Sequence, residues 1–234
     1  MKKLVSRARL PIIVSLSAAS PETFVFTYLF RIQDGITILN RIIDRWDHFH
    51  FDFEQDHVIT EKTEEEIRLE TIETTYSFVT FLFLVLGFYK GVLKQIVAVA
   101  SDLRLDIGSL VEYPKESGPI LTLRTIRNKM VAHTADIEPR ADDSLPNRLA
   151  YLEWYVGHWG SHQDTRNRRL NTFGLGVGRE TSTHVVPPTF EGMVDAAQSF
   201  ICLCEEAISR NTRYLVEHIE GNNSEEYAFV GYYP

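Results

Sequence analysis

Tyr76 to Tyr89 reads YSFVTFLFLVLGFY, fourteen residues with no charge among them. A run this apolar must be hidden from water, and its length restricts how. It stops at Lys90, short of the roughly 18 to 20 residues needed to cross a bilayer. The expectation is a buried core helix and no transmembrane span. Such a helix needs other elements to cover it, and 234 residues at 44% hydrophobic content are enough to supply them in one sizeable domain.

The neighbouring pattern provides those elements. Ser20, Pro21 and Glu22 form a cap, a first-turn proline and an early acid, predicting a first helix over about 21–47. Thr63 and the acids after it open a second helical region that carries the apolar run to about Leu105. This region is read as one long helix or two, with Gly87 and Gly91 as the weak points, since glycine costs about 1 kcal/mol inside a helix. A third helix is predicted over about Ile120–Thr134, a fourth over Asn147–His158 and a last one over Phe190–Ile219. Between the last two, LNTFGLGVGRETSTHVVPP holds two β-tolerant runs around Gly178, Arg179 and Glu180, predicting a small hairpin-like insertion near 170–187. The fold class expected is all-α: a bundle of about five long helices in a single domain over 1–234. Residues 1–19 are read as a leading segment packed on it, and 221–234 as a loosely held tail.

Charge narrows the partners. The net charge is −8 with an isoelectric point near 5.5, so no global positive field draws the molecule to nucleic acid or to an anionic membrane. Any nucleic-acid contact must be local. The basic start MKKLVSRARL and the short apolar run after it resemble an export signal, but Arg7, Arg9 and Pro11 interrupt the pattern. Cys202 and Cys204 are two apart in a helical segment and point to different faces, which fits a reducing cytoplasm.

Ile126 to Asp136, IRNKMVAHTAD, places an arginine in an apolar stripe. On a helical wheel Ile120, Leu123, Ile126, Met130 and Val131 share one face, with Arg127 and Thr134 inside it and His133 at its edge. Arg124, Asn128 and Lys129 fall off its centre, at positions expected to be solvated. A cation facing a core must be paired, hydrogen bonded or exposed in a cleft. Arg127 and His133 lie about 9 Å apart along the axis and about 120° around it. They flank a groove without touching. The plain alternative is that Arg127 reaches a carboxylate from the stripe edge while His133 closes the helix near its C-terminal dipole.

Arg127, Asn128 and His133, in Arg-Asn-Lys-Met-Val-Ala-His, resemble the Arg-x(4–6)-His signature of HEPN domains, in which a polar residue commonly follows the arginine. LRTIRNKMVAHTAD is similar to the AbiU2-like, phage-defence branch of that superfamily. The resemblance covers about a dozen residues. Ala135 stands where HEPN toxins paired with nucleotidyltransferase antitoxins often carry tyrosine, and the insertion near 170–187 has no place in the family pattern. The resemblance implies an all-α bundle acting as a homodimeric, metal-independent endoribonuclease, a toxin or phage-defence effector with an antitoxin partner. Arg127, Asn128 and His133 would be catalytic, and no cofactor is needed. The competing reading is a catalytically silent HEPN-like module that binds a partner protein or a nucleotide and uses Arg127 for structure.

Other clusters have plainer structural explanations beside their functional ones. Trp159, His162, Arg166, Arg168 and Arg169 form the most basic and aromatic patch, suited to guiding RNA by phosphate contact and stacking, or simply a solvated loop. His48, His50, Asp52, Glu54, Asp56 and His57 alternate with Phe49, Phe51 and Phe53. This alternation reads as a loop or short extended piece with one polar face, and no metal site is expected from so mixed a donor set. His158 and His162 have helical metal spacing, but Gly157 and Gly160 argue for a loop. Gly174, Gly176 and Gly178 read as turn residues, without the strand-to-helix context of a phosphate loop.

Overall fold

The structure, a computed structural model, describes residues 2–6, 11–16, 23–24, 26–54, 64–128, 150–155, 172–177, 190–221 and 225–232. Among these, four α-helices dominate: α1 (Phe26–Glu54), α2 (Glu64–Asp102), α3 (Gly118–Arg127) and α4 (Phe190–Gly221). The all-α bundle read from the sequence is the observed class. Five short strands accompany it: β1 (Pro11–Ser15), β2 (Thr23–Phe24), β3 (Ala150–Tyr155), β4 (Thr172–Val177) and β5 (Tyr227–Tyr232).

The chain divides into two compact units. The first comprises Met1–Lys3, Leu39–Phe81 and Glu116–Ala196. Its core joins the end of α1, the start of α2, α3 and the start of α4 through Ile43, Trp46, Phe78, Leu123, Phe190 and Met193, all buried. Trp46 stacks on Phe190 with ring centroids 4.1 Å apart and planes 8° from parallel, and Phe78 tilts onto the same ring at 5.1 Å. Arg45 of α1 donates from Nη1 and Nη2 to the two carboxylate oxygens of Glu73 of α2, at 3.0 and 3.2 Å. With Arg45 at 46% side-chain exposure and Glu73 at 62%, water screens this pair, and it orients the helices more than it stabilises them.

The second unit comprises Leu4–Ile38, Leu82–Lys115 and Ala197–Pro234. The apolar run of α2 is its spine. Leu82, Val85, Leu86, Tyr89, Val92 and Ile96 are at most 1% exposed, as a helix hydrophobic on most sides requires. The wider segment Glu73–Asp102 is long and apolar enough to cross a membrane by length and composition, and half of its most apolar window is buried against the rest of the protein. Neither Gly87 nor Gly91 interrupts α2. At Gly91 a Cβ would press on the Tyr28 ring at 3.0 Å, and at Gly35 of α1 it would collide with Val85, so α1 packs on α2 closely enough to need glycine at Gly35.

Two carboxamides of α4 hold extended segments as a neighbouring strand would. Gln198 Oε1 accepts from the Val5 amide at 2.8 Å while its Nε2 donates to the Val5 carbonyl at 3.1 Å. Asn211, 2% exposed, does the same to Val111 at 2.7 and 2.8 Å. Among the described residues before α1, Leu4 and Ile13 are buried.

A buried polar cluster lies beneath it. Ser6 Oγ and Tyr89 Oη both donate to Glu205 Oε1, at 2.7 and 2.9 Å. Burial first, then the Glu205 carboxylate, push the Tyr89 phenol above the usual tyrosine range. A pKa raised in the folded state contributes stability that is complete below the unfolded value, here 10.0, and is lost as pH climbs above it. The unfolding midpoint should fall more steeply above pH 10 than in Tyr89→Phe. Equal slopes in alkaline melts of the two proteins would show that Tyr89 is not the group responsible.

The structure departs from the expected elements in five places. Thr23 and Phe24 pair with Val14 and Ile13, so they form a strand and α1 begins at Phe26 rather than near 21. At its other end α1 continues through 48–54, where a loop or extended piece was expected. Once a helix is running, each further residue adds a hydrogen bond at little cost, so α1 propagates through a stretch whose alternation favours no single period strongly. Ala150–Tyr155 is a strand where the fourth helix was predicted. Its Tyr151, Trp154 and Tyr155 are strand-favouring, and β4 supplies an antiparallel partner from Ala150↔Val177 to Tyr155↔Thr172. Consequently β4, inside the predicted insertion, pairs outside it, and Gly174 and Gly176 sit in strand register opposite Glu153 and Tyr151 rather than in a turn. Finally, β5 lies within the segment read as a loose tail. It pairs with β1 from Pro11↔Tyr232 to Ser15↔Tyr227, completing a sheet of order β2-β1-β5, and Tyr227 Oη donates to Asp102 at 2.7 Å.

Candidate functional site

The motif arginine is placed by α3. Gly118 opens this helix with φ of +53°, a left-handed conformation that glycine adopts without strain. Pro119 follows in the first turn, where its missing N–H costs nothing. Ile120 and Leu123 are 4% and 0% exposed and form the buried stripe, while Leu121 on the other side is 51% exposed. Arg127 falls four residues after Leu123 and seven after Ile120, on the continuation of that stripe, and is half-buried. This is the position expected from the helical wheel.

The guanidinium is held by its neighbour. Arg127 Nη1 donates to Asn128 Oδ1 at 3.0 Å, and among the described residues that is its polar partner. At Asn128 the backbone is already in a wider, π-type turn. Such turns are rare and frequent at functional sites.

A carboxylate does meet an arginine of α3, but it is Arg124. Its Nε and Nη2 donate to Glu116 Oε2 and Oε1 in a two-pronged pair. Arg124 was expected to be a solvated position. Instead its side chain is 36% exposed against 13% for Glu116, because the acid reaches it from the segment before α3, two helical turns back. Helical periodicity had no means of finding Glu116, whose place beside Arg124 depends on how the chain enters the helix.

The structure thus brings Arg127 and Asn128 together. His133, Trp159, His162, Arg166, Arg168 and Arg169 lie outside the described residues, as do Asp56, His57 and His158. Cys202 and Cys204 are not joined in a disulfide, in keeping with their spacing.

Comparison with family models, with curated proteins and with solved structures finds no match for this chain. The candidate site therefore stands on its own residues. A forked, permanently charged group at a half-buried helix end, not neutralised by any carboxylate among the described residues, is suited to holding a phosphate or carboxylate in two-point contact.

Proposed function

We propose that this protein is a HEPN-like, metal-independent endoribonuclease acting on cellular RNA in the cytoplasm, with a toxin or phage-defence role. Arg127, Asn128 and His133 carry the reaction. The observation that supports it most is the state of Arg127: it occupies the apolar stripe of α3, yet its partner among the described residues is Asn128 and not a carboxylate. An arginine kept for structure would be expected to hold the ion pair that Arg124 holds.

In this reading His133 takes the proton from a ribose 2′-OH. The 2′-oxygen attacks the adjacent phosphorus, the bond to the 5′-oxygen breaks, and a histidine returns a proton to that leaving oxygen. The products are a 2′,3′-cyclic phosphate and a 5′-hydroxyl. Arg127 grips the phosphate and stabilises charge building on its oxygens, and Asn128 holds the guanidinium in place. The divergence of Arg127 and His133 on one helix is resolved in a homodimer, where the pairs from two copies line one cleft. An antitoxin protein is the natural partner of such an activity. The patch of Trp159, Arg166, Arg168 and Arg169 would guide the strand.

The test is cleavage of tRNA, rRNA and mRNA by purified protein in excess EDTA, beside His133→Ala. Metal-independent cutting of RNA but not DNA, reduced about 100-fold or more in the variant, is the expected result. If neither protein cuts any of the three, the chain is a silent binding module.

A further inference from the structure

We infer that Glu116 is a positioning residue that withholds Arg124 from RNA, so that of these two α3 arginines only Arg127 meets the scissile phosphate. This rests on the ribonuclease reading and names the device that regulates the affinity of that site.

Arg124 and Arg127 are three residues apart on α3, a spacing at which helix side chains are surface neighbours. Left to itself, Arg124 would extend into the same solvent region as Arg127 and add a second cation to it. Glu116 prevents this. It occupies the fork of the Arg124 guanidinium with both carboxylate oxygens and draws it toward the N-terminal end of the helix. Arg127, bonded to Asn128, stays at the C-terminal end. The Glu116 carboxylate is mostly sheltered, at 13% exposure, so salt screens the pair less than it would an open surface contact.

A second cation beside the first would hold any phosphodiester strand more tightly, without regard to sequence or to which phosphate is cut. For a chain of net charge −8, phosphate affinity is local, and each cation near the site weighs heavily. Neutralising Arg124 keeps generic polyanions and cleaved product from occupying the place where Arg127 works.

Binding of a labelled, single-stranded 2′-O-methyl oligoribonucleotide, which has no 2′-OH to attack, tests this by fluorescence anisotropy across a range of salt. Glu116→Gln is expected to tighten binding by about 3- to 5-fold, the scale of one exposed ion pair. It should also steepen the dependence of log affinity on log salt by about 0.7, the signature of one added phosphate contact to a single strand. Glu116→Gln with Arg124→Gln should return both quantities to those of the parent. An ion pair that only staples the start of α3 would move neither; its loss would lower the unfolding midpoint alone. Glu116→Gln binding no tighter than the parent, absence of binding by both, or tightening that survives removal of Arg124 would overturn the inference. The two readings separate cleanly. Cutting of RNA with indifference to Glu116→Gln removes this one and leaves the ribonuclease, whereas the Glu116 pattern without cutting removes the ribonuclease and leaves only the withholding of Arg124 from RNA.

Discussion

Arg127→Ala should lower RNA cleavage by about 100- to 1000-fold, the loss typical of removing one group that stabilises charge in a transition state, while leaving the fold as stable as the parent within about 0.5 kcal/mol. The second half is what distinguishes a working arginine from a structural one. A buried cation that anchors an acid leaves an unpaired charge when either member is removed, at a cost of about 3 to 5 kcal/mol. Arg127 has no such carboxylate among the described residues. Its partner is the next residue in the chain, whose amide can turn to water when the guanidinium goes. Cleavage rates and chemical denaturation on the same preparations decide the matter. A large drop in stability together with activity would show that Arg127 is structural.

Phe190→Ala is expected to cost about 3 to 5 kcal/mol, enough to threaten a domain of ordinary stability. Phe190 is the first residue of α4 and 3% exposed, with Trp46 of α1 stacked on it and Phe78 of α2 tilted against it. Truncation removes the ring on which both neighbours rest and leaves a cavity that no adjacent large side chain fills without moving. Phe190→Leu, which retains most of the apolar volume, should cost far less. Urea denaturation of the three proteins measures this. A loss below about 1 kcal/mol for alanine would mean that the aromatic cluster does not hold three helices together.

The helices α2 and α4 and the buried stripe of α3 could be read directly, because each rests on residues three or four positions apart that pack on one side. Leu123 and Arg127 are such a pair, and the position of the motif arginine at the end of an apolar stripe followed from spacing alone. The outer limits of α2 were legible, but whether Gly87 and Gly91 divide it in two was settled only by the structure, where packing keeps it one helix. Where local preference was divided, reading failed. Residues 48–54 alternate like a strand and yet continue α1, whereas Ala150–Tyr155 extends a helical-looking stretch and yet pairs with β4. A strand is stabilised by its partner, and the partner here is more than a dozen residues away.

The amino-acid order by itself determined that the chain forms helices around the Tyr76–Tyr89 run, and that an arginine ends the buried face of one of them. Tertiary structure alone decided which arginine is neutralised, which termini meet in a sheet, and where a carboxylate is buried. Glu116 reaches Arg124 only because of the path into α3; β1 finds β5 from the other end of the chain; Ser6 and Glu205, 199 positions apart, share one hydrogen bond. Each of these is a contact between groups with no fixed spacing. The free energy that selects it comes from burying the surrounding apolar surface, and no local pattern in the sequence records that.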